Sequence, residues 1–307
     1  MIEKIRKEIP SSDGIHTLRG LFYLPENPKG ILQISHGMVE HIERYDAFMT
    51  YIAENGFIVC GHDHLGHGRT AENDTELGFI AEKDGHLSVC EDVYLFGKAI
   101  RAEYPNLKHI LLGHSMGSFI VRNTMISHPD ACDALILMGT GGPNPLSRFG
   151  LLLTSLIGKL FGAKHISRLA YIAAFSSYNK RTASKHPMAW LSRDEEELQK
   201  HDADKFCTFR FTVSAMHDLI RLQADANRRE WFENLRKDLP ILLVSGTEDP
   251  VGNYGKGIET IYSRLIEEGI TDVTRILYPD MRHEILNEFD REKPYADILS
   301  FLNSQIS

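Results

Sequence analysis

Short apolar runs recur along the chain, each followed by a glycine-rich turn and then by a stretch with helical spacing. The N-terminus differs. Residues 2–9 and 15–24 alternate apolar and polar side chains around Pro10 to Gly14 (PSSDG), which predicts an antiparallel hairpin at a sheet edge. Ile31 to Ile34 predicts a short buried strand ending at Ser35-His36-Gly37. Residues 42–55 place Tyr45, Phe48, Met49 and Ile52 at helical intervals and stop at Gly56. Phe57 to Cys60 is the next strand, running into Gly61 to Gly68, and Val89, Val93, Phe96 and Ile100 mark one face of a helix. A strand at 109–113, a helix, and a strand from Ala134 to Met138 continue the rhythm. Much later come a strand at Pro240 to Val244, a helix at Tyr254 to Glu268, a strand at Val273 to Tyr278 and a helix at Pro294 to Asn303. Strands alternating with helices in this way predict an α/β fold with a mostly parallel sheet wrapped on both faces.

From Pro143 to about Asn227 the alternation stops. That stretch is helix-like, rich in Leu, Phe and Ala, and contains no convincing buried strand. The expected organisation is a core made of residues 1–142 and 228–307, with 143–227 inserted as a helical cap over the carboxyl ends of the strands. Within the cap, Leu151 to Phe161 (LLLTSLIGKLF) puts Leu152, Leu153, Leu156, Ile157, Leu160 and Phe161 on one half of a helical wheel. Thr154, Ser155, Gly158 and Lys159 take the other half. The simplest expectation is that the apolar half packs on the protein's own core.

A hydrophobic content of 42% and a charged content of 25% over 307 residues are those of an ordinary globular chain. The net charge of −8 argues against nucleic acid as a partner and supplies no attraction to anionic membranes. The four cysteines (Cys60, Cys90, Cys132, Cys207) are widely spaced and read as buried free thiols. The charged N-terminus is unlike a signal peptide, and no apolar run approaches the ~20 residues of a membrane span. A reducing, cytoplasmic setting is expected.

The most informative segment is His109 to Ser118, HILLGHSMGS. An apolar strand enters Gly113-His114-Ser115-Met116-Gly117, and Phe119, Ile120 and Val121 continue as an apolar helix. A serine at the apex of a sharp strand-to-helix turn has its hydroxyl pushed outward, and glycines on either side let strand and helix approach. A serine hydroxyl is a weak nucleophile and needs a base, which needs an orienting carboxylate. Strand 241–245 runs into Ser245-Gly246-Thr247-Glu248-Asp249-Pro250, and strand 273–278 into a loop carrying His283, the only histidine after His217. Ser115 as nucleophile, His283 as base and Asp249 as acid, with Glu248 its rival, follow in the chain order of α/β-hydrolases. His36-Gly37-Met38 after a strand reads as an oxyanion loop, the Met38 amide joining that of Met116 at the helix N-terminus. His62, His64 and His67 have superficially ligand-like spacing, but no carboxylate or cysteine set accompanies them, so no metal is expected. This chemistry needs no cofactor.

HGMVEHIERYD (36–46), GHDHLGHGRT (61–70), LLGHSMGS (111–118), SGTEDP (245–250) and MRHEILNE (281–288) together resemble the monoacylglycerol lipase and lysophospholipase group of serine hydrolases. The likeness covers roughly 30–142 and 239–290; the cap matches only in position and apolar character. Val39 and Ser118 stand where that family usually has glycine, and Thr70 where it has serine. The resemblance implies an α/β-hydrolase that cleaves a lipid or other small ester through an acyl-enzyme. It also implies a second role for the cap helix: Leu152, Leu156 and Leu160 lining an acyl path, or touching a membrane surface transiently. Related serine aminopeptidases share the core motifs, so a peptidase or amidase is the alternative within the class. It would need an acidic pocket, for which Glu40, Asp194, Glu195, Glu196 and Glu197 are available, although the last four read as a solvated helix start. A non-catalytic binding protein on the same scaffold is disfavoured by the presence of all three candidate triad residues. The acid-nucleophile branch is disfavoured by serine at the turn.

Overall fold

The computed structural model describes residues 1–306. β1 (Ile2–Pro10) and β2 (Thr17–Pro25) form the expected hairpin, paired antiparallel from Ile2 with Pro25 to Pro10 with Thr17. β3 (Gly30–Ser35) follows, then a single 3-10 turn at Ile42–Tyr45 and α1 (Asp46–Glu54), so the predicted helix begins as a tighter coil. Next come β4 (Phe57–His62), α2 (Gly85–Glu103), β5 (His109–His114), α3 (Met116–Ser127) and β6 (Ala134–Met138). The eight-stranded sheet is completed by β7 (Ile241–Gly246) and β8 (Val273–Tyr278), in the order β1-β2-β4-β3-β5-β6-β7-β8. β3 through β8 pair parallel, and β2 joins β4 antiparallel.

The inner strands are buried on both faces, which is why they read as unbroken apolar runs. Their side chains still alternate. Leu111, Leu135, Leu137, Ile241 and Leu243 belong to one core with residues of α2 and α3, while Ile110, Leu112, Ile136, Leu242 and Val244 belong to a second core with α1. α9 (Lys256–Glu267) joins the first core through Ile258, Ile261 and Leu265, and α10 (Glu292–Ser304) joins the second through Tyr295, Ile298 and Leu302.

Between β6 and β7 the described residues form helices and no strand: α4 (Ser147–Phe161), α5 (Arg168–Phe175), α6 (Glu195–Ala203), α7 (Val213–Ala226) and α8 (Arg229–Asn234). The sequence pattern does not announce α8, whose Trp231 and Phe232 enter the first core. α7 packs against α2, α3 and α4. The segment also touches the loops that follow three strands: Asp204 pairs with His41 at 2.7 Å, the Thr212 amide donates to Gly78 at 2.8 Å, and the His283 amide donates to Trp190 at 3.3 Å.

The burial of α4 meets the simplest expectation at Ile157 and departs from it at most of the apolar half. Its buried residues are Ser147, Thr154 and Ile157, whereas Leu152, Leu156 and Leu160 are 71%, 57% and 67% exposed. The reason lies in the small side chains. A Cβ on Gly150 would stand 3.0 Å from Ile220 Cδ1 and one on Gly158 3.6 Å from Val213 Cγ1, so this seam lets α4 settle closely on α7. Thr154 Oγ1 meets His217 Nδ1 at 2.9 Å in the same contact. The leucine stripe therefore points outward; neither core packing nor an enclosed acyl channel is formed by these three residues.

Candidate active site

Ser115 stands between β5 and α3 with φ 52° and ψ −118°, a conformation that costs a non-glycine residue about 1–3 kcal/mol. The neighbourhood holds it there. Its amide donates to Met138 O at 2.9 Å, anchoring the turn to the end of β6, and its carbonyl accepts from the Ser118 amide at 3.0 Å and from the Ser118 hydroxyl. Ser118 is thus a capping residue of the turn, which accounts for a hydroxyl where glycine is usual. A Cβ on Gly113 would lie 2.5 Å from Gly117 O, and one on Gly117 would lie 2.0 Å from Ser35 O. Met116 opens α3, so its amide is among the helix's first N–H groups, which have no intrahelical acceptor.

Asp249, in the turn after β7, is fully buried. Its Oδ1 accepts from His283 Nδ1 at 3.0 Å and from the Val251 amide at 2.8 Å, and its Oδ2 accepts from Ser245 Oγ at 3.0 Å. Glu248, one residue earlier, is half-buried, and among the described residues its hydrogen bond is from its backbone amide to Met281 O. His283 is itself buried, and its Nε2 has no hydrogen-bond partner among the described residues. Its ring lies 4.8 Å from that of His114, the residue before Ser115. Gly139 is required beside it, since a Cβ there would sit 3.0 Å from His283 Cε1.

The loop after β3 passes Ser115 at Gly37 and continues into Met38 and Val39. Gly37 is held by a hydrogen bond from its amide to Glu40 Oε1, and a Cβ on Gly37 would meet Ser115 Cβ at 3.2 Å. Val39 has φ 54°, an unfavourable region for a branched side chain, at the position where the resembling family has glycine. Of the histidines with ligand-like spacing, His64 braces this loop, His67 bonds within its own loop, and neither ring nitrogen of His62 has a partner among the described residues. His36 Nε2 accepts from the His64 amide at 3.0 Å, His64 Nε2 meets Ser35 Oγ at 3.0 Å, and His67 Nδ1 meets Leu65 O at 2.9 Å. Among the described residues, the His/Cys/carboxylate group whose ligand atoms do converge is His41, Asp204 and Cys207, where His41 and Asp204 already satisfy one another.

Pattern reasoning missed a buried ionic network under His283. His114 Nδ1 meets Glu40 Oε1 at 3.0 Å, the Tyr45 hydroxyl donates to Glu40 Oε1 at 2.9 Å, and Arg44 grips Glu284 with two hydrogen bonds of 2.7 and 2.8 Å. Burial alone would raise the Glu40 carboxyl, but the hydrogen bond and charge of His114, with Arg44, bring it down to about 2. Burial likewise opposes the His114 imidazolium, and Glu40 overrides it, so His114 titrates above an ordinary histidine. The i,i+4 spacing of Glu40 and Arg44 was the available sequence signal. Glu40 is consumed here, and Asp194 caps α6 through the Glu196 amide, while Glu197 pairs with Lys200 at 2.7 Å.

A parallel sheet in this strand order, a serine on a strained strand-to-helix turn, and a hydrogen-bonded Asp–His pair beyond the later strands define an α/β-hydrolase. Within that class the chain belongs to the serine aminopeptidase S33 family, whose model matches residues 26–290. It is 24% identical over 298 residues to a monoacylglycerol lipase of Mycolicibacterium smegmatis, covering 95% of each chain. It is 32% identical to a monoglyceride lipase homolog of monkeypox virus, over 74% of this chain and 73% of that one. Among solved structures, a carboxyl esterase from Bacillus coagulans in complex with glycerol superposes with a TM-score of 0.93 at 29% identity, both chains covered in full.

Proposed function

We propose that this protein is a serine hydrolase that cleaves carboxylic esters of the monoacylglycerol or lysophospholipid class. The observation that carries this reading is the buried Asp249–His283 hydrogen bond, with a serine held at positive φ directly after His114, whose ring lies 4.8 Å from that of His283. His283 Nδ1, donating to Asp249, leaves Nε2 as the basic nitrogen. Ser115 Oγ attacks the ester carbonyl as Nε2 takes its proton, and the imidazolium then protonates the departing alcohol. The Met38 and Met116 amides receive the oxyanion. Water, activated by the same nitrogen, releases the acid and restores Ser115.

Residues 143–227 serve as a cap in this proposal. Its outer face carries the exposed stripe Leu152, Leu156 and Leu160 together with Phe149, Leu169 and Ile172, all at least half exposed. Such a patch supports transient contact with a lipid surface from which an insoluble ester is drawn. No helix among the described residues is long and apolar enough to cross a membrane. All four cysteines are buried and free, which supports a reducing, cytoplasmic setting. The aminopeptidase reading that the family description raises is weakened because Glu40, Asp194 and Glu197 are engaged elsewhere, and Glu195 and Glu196 are exposed in the first turn of α6.

A fluorophosphonate probe tests the nucleophile. It should label Ser115 in the parent protein and nothing in Ser115→Ala, whose ester turnover should fall by several orders of magnitude. Labelling elsewhere, or retained turnover, would remove the assignment. Comparing p-nitrophenyl esters, monoacylglycerols, lysophospholipids and aminoacyl amides separates the substrate classes, and turnover confined to the amides would favour the peptidase reading.

A further inference from the structure

Residues 189–193 lie along the loop that carries His283 and are bound to it almost continuously. The His283 amide donates to Trp190 O at 3.3 Å and the Glu284 amide to Leu191 O at 2.8 Å. Arg282 Nη1 donates to Ala189 O at 2.6 Å and to Ser192 O at 2.9 Å, and Ser192 Oγ donates to Asn287 O at 2.8 Å. Arg193 closes the strap on the buried Glu288, its Nε donating to Oε2 at 2.9 Å. The histidine loop is therefore braced by the inserted segment as well as by the sheet.

At the centre of the strap, the Trp190 indole lies against the imidazole of His283, with ring centroids 5.0 Å apart and planes tilted by 39°. Tyr178 packs edge-on against Trp190 at 4.9 Å and Phe175 against Tyr178 at 5.4 Å, backing the indole from the direction of α5. The ionisable groups facing His283 are Asp249 on its Nδ1 and His114 against its ring. Its chain neighbours Arg282 and Glu284 are turned away to the strap and to Arg44.

We propose that Trp190 is a positioning residue for the general base: its backbone carbonyl and indole fix the imidazole of His283, so that the cap's placement is a condition of catalysis. This rests on the assignment of His283 as base. An indole face also favours the imidazolium that forms only after proton transfer over the neutral ring of the resting protein. Its loss should therefore appear in kcat rather than in KM.

The test uses p-nitrophenyl butyrate, whose short chain needs no apolar wall, with the full-length protein and its Trp190→Ala, Trp190→Phe and Trp190→Leu variants. Expected are a roughly ten-fold fall in kcat for Trp190→Ala at near-constant KM, recovery of most of it by Trp190→Phe, and little recovery by Trp190→Leu. Equal recovery by Leu and Phe, or an unchanged kcat in Trp190→Ala, would overturn the inference. If the alanine variant does not fold, the Phe–Leu pair decides alone. A spectroscopic arm uses Trp231→Phe, which leaves Trp190 as the only indole. Its emission should change in the additional His283→Gln variant, and an unchanged emission would overturn the contact. Fluorophosphonate labelling run alongside separates the two failures. An unlabelled parent removes the hydrolase reading, whereas a Trp190→Ala variant labelled at the parent rate removes only the role of Trp190.

Discussion

Asp249 meets His283 through one carboxylate oxygen at 3.0 Å while its other oxygen is held by the Ser245 hydroxyl at the same distance, so the acid cannot rotate away from the imidazole. Glu248 makes no comparable side-chain contact. Asp249→Asn should accordingly lower kcat on a soluble ester by about 10³–10⁴-fold with little change in melting temperature, and Glu248→Gln should leave it within a few-fold. The reverse ranking would move the acid one residue upstream.

Gly117 tests the close approach of α3 to β3. In Gly117→Ala the new carbon would lie 2.0 Å from the Ser35 carbonyl oxygen, a backbone atom with no rotamer to escape into. The turn must shift as a unit, which should cost more than about 3 kcal/mol and displace Ser115. Loss of soluble expression or a sharply lowered denaturation midpoint is expected; a melting temperature and turnover matching the parent would show that the approach is looser than described.

Stability should fall in mild acid because several imidazoles are buried in the neutral form. Burial brings His62 to about 3 and His67 and His109 to about 4, and sets His36 and His64 well below the ordinary 6.5. Below about pH 6.5 the unfolded chain binds protons that the folded chain refuses, so each group removes about 1.4 kcal/mol per pH unit until its folded value is reached. His114, shifted upward, opposes this: its contribution is present below 6.5 and is lost as pH rises through its folded value. Five groups outweigh one, and the melting temperature should drop steeply between pH 7 and pH 5. A flat profile over that range would contradict the buried neutral state.

His62 gives a sharper version of the same experiment. Neither of its ring nitrogens has a partner among the described residues, and its ring lies 4.6 Å from that of Phe96. His62→Phe should remove two unsatisfied polar atoms, raise stability at pH 7 by about 1–3 kcal/mol, and lower the acid slope by one proton. Denaturant titrations at pH 7 and 5.5 read both effects, and a destabilised variant with an unchanged slope would count against it.

The leucine stripe of α4 separates surface contact from core packing. Because Leu156 is 57% exposed, Leu156→Asp should change stability by no more than about 0.5 kcal/mol, and turnover of p-nitrophenyl butyrate should stay at the parent level. Turnover of long-chain monoacylglycerol presented in vesicles should fall roughly ten-fold, since a leucine side chain contributes about 1.5–3 kcal/mol when fully buried in an apolar phase. Equal loss on both substrates with a lowered melting temperature would return the stripe to the core.

What the sequence determined by itself is what local physics determines. The alternation of apolar runs with helical stretches set the parallel sheet, because buried strands and their crossover helices each carry their own period. The glycines around Ser115 announced the turn, because their spacing is a steric requirement of strand and helix in contact. The order of Ser115, Asp249 and His283 was legible because each follows a strand that ends at the same edge of the sheet. The remaining features depend on which surfaces meet. Leu152, Leu156 and Leu160 looked like a packing face, yet Gly150, Thr154 and Gly158 let α4 approach α7 more closely, and closeness decided the contact. Glu40 looked available to a substrate until His114 reached it from the end of β5 and Arg44 and Tyr45 folded back on it from its own segment. Trp190 carried no signal at all. Its place on His283 arises from a strap joining residues about ninety positions apart, and only the folded chain brings such distant segments within hydrogen-bonding distance.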